Sequence, residues 1–228
     1  MFNRDFYPTP PEVIAQMLEG EKIAGKTILE PSAGTGNIVD YLQAQGGEVL
    51  ACENNDDLRT ILGHKCKVLE PDFLRVTSDQ ISHINMIVMN PPFSADEKHI
   101  SHAYNVAPPG CKIIALCNTA TLENTYSQAR RELKTIIQQY GIIQNLGDCF
   151  SCAERQTGVN VSLIKIQKPG GGYETEFEGF FLGEEPAEAQ GDGLISYNFI
   201  RDVVNRYVEA VKIYDSQLEA GERMNRIL

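Results

Sequence analysis

Short apolar runs alternate with amphipathic stretches along most of this chain. The runs TILEP (27–31), EVLACE (48–53), CKVLE (66–70), INMIVMN (84–90), CKIIALCN (111–118), IIQNLGD (142–148) and VNVSLIKI (159–166) are rich in β-branched residues and predict seven strands. Between them, PPEVIAQMLE (10–19), NIVDYLQAQG (37–46), HISHAYNVA (99–107) and TYSQARRELKTIIQQY (125–140) carry helical periodicity. The first has proline near its start, where no hydrogen-bond donor is lost, and the second ends in a glycine suited to a C-terminal cap. Strands that alternate with helices predict an α/β domain with a mostly parallel sheet. No internal repeat interrupts this order.

The pattern breaks after residue 168. Residues 169–194 are rich in Gly and Glu and predict an acidic insert or linker. Residues 195–228 predict a C-terminal amphipathic helix with Phe199, Val203, Tyr207, Val211 and Tyr214 on one stripe. That stripe needs a surface to cover it. The main domain is one; an additional domain or subunit is the other.

The charge follows the same division. Of the formal net charge of −11, residues 1–168 contribute −4 and residues 169–228 contribute −7. A basic nucleic-acid surface over the whole chain is thereby excluded. No apolar run approaches the roughly 20 residues that span a membrane, and the N-terminus has no apolar signal core, so the expected compartment is the cytoplasm. Cys52, Cys111 and Cys117 fall in strand-like runs and predict buried thiols. Cys149 and Cys152 form a lone C-x-x-C with no second pair at zinc spacing, so no metal site is expected.

Two stretches carry candidate chemistry. In TILEPSAGTGNIVDYL, a strand, a small-residue turn and a helix follow one another, and Gly34 and Gly36 let backbone approach a ligand. Glu53 ends the next strand, 17 residues after Gly36, where a carboxylate can accept ribose hydroxyls. Glu30 just before the turn would repel a pyrophosphate but suit an ammonium, which favours S-adenosylmethionine over a dinucleotide. At the end of the third strand, Asp72 can accept an adenine amino group and Phe73 can cover the ring, although a plain surface turn fits those residues too.

The second stretch is Asn90-Pro91-Pro92-Phe93, at the carboxyl end of the fourth strand, the edge where open α/β sheets bind ligands. Asn90 precedes proline and is held extended. The prolines remove two N–H groups, so the turn is rich in acceptors. The Asn90 side-chain oxygen and the Pro91 carbonyl together suit a planar –NH2 group. Hydrogen bonds to both of its hydrogens free the nitrogen lone pair, and fixed acceptors do this best. Phe93 offers a face on which a base can stack, and a base in a duplex must be flipped out to reach it.

YPTP (7–10), EPSAGTG (30–36), Glu53, PDF (71–73) and NPPF (90–93), in that order, resemble the S-adenosylmethionine-dependent N6-adenine DNA methyltransferases with gamma-type motif order, especially those of phages and mobile elements. The resemblance covers residues 6–168 and implies a Rossmann-like class I methyltransferase domain with a C-terminal hairpin. It implies that Tyr7, Pro8, Thr9 and Pro10 cover the methionine end of the cofactor. Glu30, Pro31, Ser32, Gly34 and Gly36 would cradle it, and Glu53 with Asn54 would hold the ribose. Asp72 and Phe73 would take its adenine, with Asn90 close to the transferred group. Asn90, Pro91, Pro92 and Phe93 would bind the target base. Arg155 in the hairpin loop, and Arg130, Arg131 and Lys134 on one helix, are candidates for substrate phosphates. The implied partner is nucleic acid, with DNA favoured and structured RNA a rival. Glutamine methylation of a protein and a non-catalytic cofactor-binding module are further rivals. The acidic tail is a poor DNA reader, so a fragment of a longer protein, or a subunit that needs a partner, is expected.

Overall fold

A computed structural model describes residues 7–124, 126–150 and 159–170. The elements run α1 (Pro11–Met17), β1 (Thr27–Glu30), α2 (Asn37–Ala44), β2 (Glu48–Cys52), α3 (Asp56–Leu62), β3 (Lys67–Glu70), β4 (Met86–Met89), α4 (Asp96–Val106), β5 (Lys112–Asn118), α5 (Thr119–Glu123), α6 (Gln128–Tyr140), β6 (Gly141–Gly147) and β7 (Val161–Gln167), with short 3-10 turns at Phe73–Arg75 and Asp79–Ile81. One seven-stranded sheet has the order β3-β2-β1-β4-β5-β7-β6. Strands β1 to β5 are parallel; β7 runs antiparallel to both β5 and β6, so β6 and β7 form the expected C-terminal hairpin.

The period-2 alternation of each strand divides the core in two. Leu29, Ile87, Met89, Ile113 and Ala115 face a layer built from Ile100 and Ala103 of α4 and Leu133 and Ile137 of α6. Their neighbours Ile28, Met86, Val88, Ile114 and Leu116 face α1 and α2 through Ile14, Met17, Val39 and Leu42. All four β4 residues are buried, which is why that strand reads as an unbroken apolar run. Cys52, Cys111 and Cys117 are buried free thiols within this core. Burial pushes the Cys52 and Cys111 thiols up to about 12, so they remain protonated and inert.

The strands lie within two residues of their expected bounds, and two helices start elsewhere. The fourth begins at Asp96 rather than residue 99, and the sixth at Gln128, where the Ser127 side chain caps the Arg130 amide, rather than at 125. Helices α3 and α5 were not expected. They are seven and five residues long, too short to show a period, and begin where the side chains of Asn55 and Asn118 accept backbone amides. The expected insert and C-terminal helix, with the docking stripe, lie outside the described residues apart from 169 and 170, as do Cys152 and Arg155. No described helix is long and apolar enough to cross a membrane.

Candidate functional site

The strand order reverses between β1 and β4: from β1 the chain moves outward through β2 and β3, then returns to start β4 on the other side. Loops diverge at that point and leave a crevice above the carboxyl ends of the strands. There the structure holds a cavity of about 530 Å³, within the usual size range for small-molecule sites. It gathers five motif segments that are far apart in sequence. Tyr7, Pro8, Thr9, Glu30, Pro31, Ser32, Gly34, Glu53, Asn54, Asp72, Phe73 and Asn90 to Phe93 all line it.

The glycine turn follows β1. Gly34 and Gly36 have φ of 56° and 86°, a left-handed conformation that favours glycine. A Cβ on Gly36 would stand 3.0 Å from Leu62 Cδ2, so a side chain there would also press the leucine aside. Gly36 and Pro10 do not line the cavity. They precede α2 and α1 as N-cap residues and shape the segments that do line it. Glu53 stands across from the turn. Its Oε2 accepts the Gly34 amide and its Oε1 the Asn55 amide, both at 2.8 Å. A carboxylate has about four lone-pair positions, so each oxygen keeps one for a further donor. Arg59 holds the loop behind it through the Glu53 and Asn54 carbonyls, at 2.9 and 2.8 Å.

Glu30 is 1% exposed, and its Oε2 has no hydrogen-bond partner among the described residues. Burial pushes its carboxyl well above the usual range. The Val39 amide opposes the shift, while Glu53 and Asp40 add to it. An uncompensated buried carboxyl at the edge of a cavity is a place for a cation. Glu30, Glu53 and Asp72 line the cavity with no lysine or arginine among them, so the site favours a positively charged ligand over a pyrophosphate.

Asn90 closes the opposite wall. Its Nδ2 donates to the Tyr7 carbonyl at 3.2 Å and to Thr9 Oγ1 at 3.0 Å, while its Oδ1 is shielded from solvent and has no partner among the described residues. A carbonyl cannot donate, so the end facing Tyr7 must be the NH2. The oxygen is therefore the orphan. The Pro92 carbonyl accepts the Ala95 amide at 2.9 Å and joins the turn to α4. Phe93 lies 6.0 Å from the Tyr7 ring at 25° and meets the fully buried Phe150 edge-on at 5.9 Å. One side of the Phe93 ring is thus already engaged by Tyr7.

Several of these residues also have partners within the fold. Phe73 is 2% exposed and belongs chiefly to the core; it stacks on His99 at 6.1 Å and meets His102 edge-on at 4.9 Å. Asp72 Oδ1 caps the following 3-10 turn through the Leu74 amide. Arg130 and Arg131 do not line the cavity. The Arg130 guanidinium pairs with Glu97 and the Arg131 guanidinium donates to the Tyr126 carbonyl at 2.9 Å, so intramolecular partners already engage both. Asn37, Asn55 and His99 line the cavity and carried no signal in the sequence. Their residue types are ordinary at helix starts and faces; only the tertiary structure turns them inward. His99 Nδ1 donates to the Ala95 carbonyl at 2.9 Å, and burial lowers the pKa of the ring.

No family model and no curated protein matches the chain. Solved structures do. A dimethyladenosine transferase from Plasmodium falciparum is 13% identical over 71% of this chain and 63% of that chain, with a TM-score of 0.54. The 23S rRNA methyltransferase ErmE is 13% identical over 72% and 70%, with a TM-score of 0.53. An O-methyltransferase from Bacillus cereus in complex with SAH is 16% identical over 71% and 83%, also at 0.53. The shared feature is the fold: the Rossmann-like α/β architecture of class I methyltransferases.

Proposed function

We propose that this chain is an S-adenosylmethionine-dependent methyltransferase that modifies the exocyclic N6 amine of adenine in DNA. The observation that carries the proposal is the Asn90 amide: its two hydrogens are engaged by Tyr7 and Thr9, and its oxygen is an unpaired acceptor on the cavity wall. Such a group suits a partner that donates, and a planar –NH2 does.

The cavity fits the cofactor by its own chemistry. The orphaned Glu30 oxygen answers an ammonium, the free lone pairs of Glu53 answer ribose hydroxyls, and the left-handed glycine turn leaves room for close backbone approach. Bound there, S-adenosylmethionine supplies an electrophilic methyl group on a sulfonium. Asn90 Oδ1 and the Pro91 carbonyl accept the two amine hydrogens and localise the nitrogen lone pair. Pro91 and Pro92 fix those acceptors before the base arrives. Phe93 stacks the extruded base, a contact worth about 1–3 kcal/mol, on the part of its ring that Tyr7 leaves open.

Adenine in structured RNA is the second reading. It is favoured by two neighbours of the same fold whose names specify dimethyladenosine and 23S rRNA as their chemistry. The two readings share the site and differ in the sugar. The test is to incubate the protein with tritiated cofactor and DNA, RNA or cell lysate, then digest to nucleosides and amino acids. Label in N6-methyldeoxyadenosine is expected. Label in the ribonucleoside moves the substrate to RNA, label in glutamine moves it to protein, and no label with tight cofactor binding leaves a binding module.

A further inference from the structure

The N-terminal segment does more than line the cavity. It joins the glycine turn to Asn90 through a chain of side-chain hydrogen bonds. Thr35 Oγ1 donates to Asn37 Oδ1 at 3.0 Å, and Asn37 Nδ2 donates to the Thr9 carbonyl at 3.2 Å. Thr9 in turn receives Asn90 Nδ2 on its hydroxyl at 3.0 Å, and it is 4% exposed. The second Asn90 hydrogen goes to the Tyr7 carbonyl. A buried primary amide with only one of its hydrogens held can rock or turn over, and its oxygen then loses a fixed direction. With both held, only the oxygen is left to the ligand.

Resting on the reading of Asn90 as the amine acceptor, we propose that Thr9 is a positioning residue. Its hydroxyl and the Tyr7 carbonyl together occupy both Asn90 Nδ2 hydrogens and present Oδ1 to the substrate amine. Thr9 itself is held by Asn37, at the start of α2, so the catalytic amide is tied to the turn that cradles the cofactor. This differs from a role for Thr9 as a contact to the cofactor. It also accounts for a buried threonine hydroxyl in a segment whose neighbours are two prolines.

Thr9→Val keeps the shape and removes the hydroxyl. At saturating cofactor we expect kcat to fall about tenfold, the size expected for one lost hydrogen bond. The Kd for S-adenosylhomocysteine, measured by calorimetry, should stay within about twofold, and Thr9→Ser should restore most of the rate. In protein labelled with 15N-asparagine, the Asn90 side-chain hydrogens should exchange faster with solvent in Thr9→Val than in wild type or Thr9→Ser. Weaker S-adenosylhomocysteine binding with an unchanged kcat would overturn the proposal and make Thr9 a cofactor contact. Unchanged exchange in Thr9→Val would overturn it as well. Exchange is read without turnover. A wild-type protein that methylates nothing therefore sinks the proposed reaction, while the positioning of Asn90 is still decided. If the valine variant does not fold, Thr9→Ala against Thr9→Ser makes the same comparison.

Discussion

The two edges of this sheet use the same kinds of residue to opposite ends. At the amino edge, Glu21 is paired with Lys112 at 2.7 Å and Lys165 at 3.1 Å, and Asn85 Oδ1 accepts the Thr27 amide at 2.9 Å. At the carboxyl edge, Glu30 and Asn90 each keep a buried oxygen with no partner among the described residues. Burial alone would raise the Glu21 carboxyl, but the two lysines outweigh it and hold the value below the usual range; at Glu30 the Val39 amide and the charge of Lys65 do not offset burial, and the carboxyl is driven upward. A buried polar group without a partner costs about 1–3 kcal/mol. A fold that satisfies such groups at one edge and leaves them open at the other has placed that cost where a ligand can remove it.

The largest effect should come from the paired asparagines. In the proposed reaction Asn90→Ala removes a fixed acceptor for the target amine and should lower kcat about 10²- to 10³-fold, with cofactor affinity changed only a few-fold. Asn85→Ala, at the other edge, should leave the rate unchanged and cost about 1 kcal/mol of stability for the Thr27 hydrogen bond. Single-turnover kinetics and denaturant melts on both variants check this. Equal loss of rate in the two would remove Asn90 from the chemistry.

Next in size is the ion cluster. Glu21→Gln leaves Lys112 and Lys165 without their shared counter-charge. The lysine side chains are 32% and 17% exposed, so solvent takes up part of the loss. The expected destabilisation is about 2 kcal/mol, less than the 3–5 typical of a fully buried pair. The thermal midpoint should drop and the affinity for S-adenosylhomocysteine should hold. A variant that melts at the wild-type temperature would show that the network contributes nothing.

The contrast between the edges was only half legible in the sequence. Strand runs such as INMIVMN and CKIIALCN gave the parallel sheet because both faces of β4 and β5 are buried, and a doubly buried strand shows as continuous apolar residues. The glycine turn, Glu53 and the Asn90–Phe93 turn could be placed at the carboxyl edge because each ends a recognisable strand. What could not be read were the side-chain partners that cross the fold. Asn90 and Tyr7 are 83 residues apart, and Glu21 and Lys165 are 144 apart, and no local pattern announces such pairs. For the same reason Arg130 looked available for phosphate until the fold brought Glu97 against it. Asn37 and His99 gave no sign, since neither stands at a strand end.

Glu53 tests the carboxyl edge itself at a smaller scale. Glu53→Ala removes the acceptor for the Gly34 and Asn55 amides and, in the proposed complex, for the ribose. The Kd for the cofactor should rise about tenfold or more, equivalent to about 1.4 kcal/mol. Titration calorimetry reads it directly, and an unchanged constant would take Glu53 out of the binding site.

The smallest effect, Glu30→Gln, reverses the usual sign. A carboxyl whose folded value lies above its unfolded one binds protons more readily in the folded state. Its contribution is therefore present below the ordinary value of 4.5 and is lost as pH rises through the raised folded value. Glutamine has no such dependence. The ligand-free variant should melt higher than wild type at pH 8, and the difference should shrink toward zero below pH 4.5. Glu21 behaves in the opposite sense: its depressed value adds stability above the usual range that is lost on acidification. Cofactor binding should weaken in Glu30→Gln, because a neutral amide no longer answers the ammonium. In wild type, an arriving cation should expel the Glu30 proton, which calorimetry in two buffers of different ionisation enthalpy would register as released protons. A Glu30→Gln protein that is less stable than wild type at pH 8 and binds cofactor as tightly would mean that this carboxyl is part of the scaffold, and that the two edges of the sheet do not differ as described.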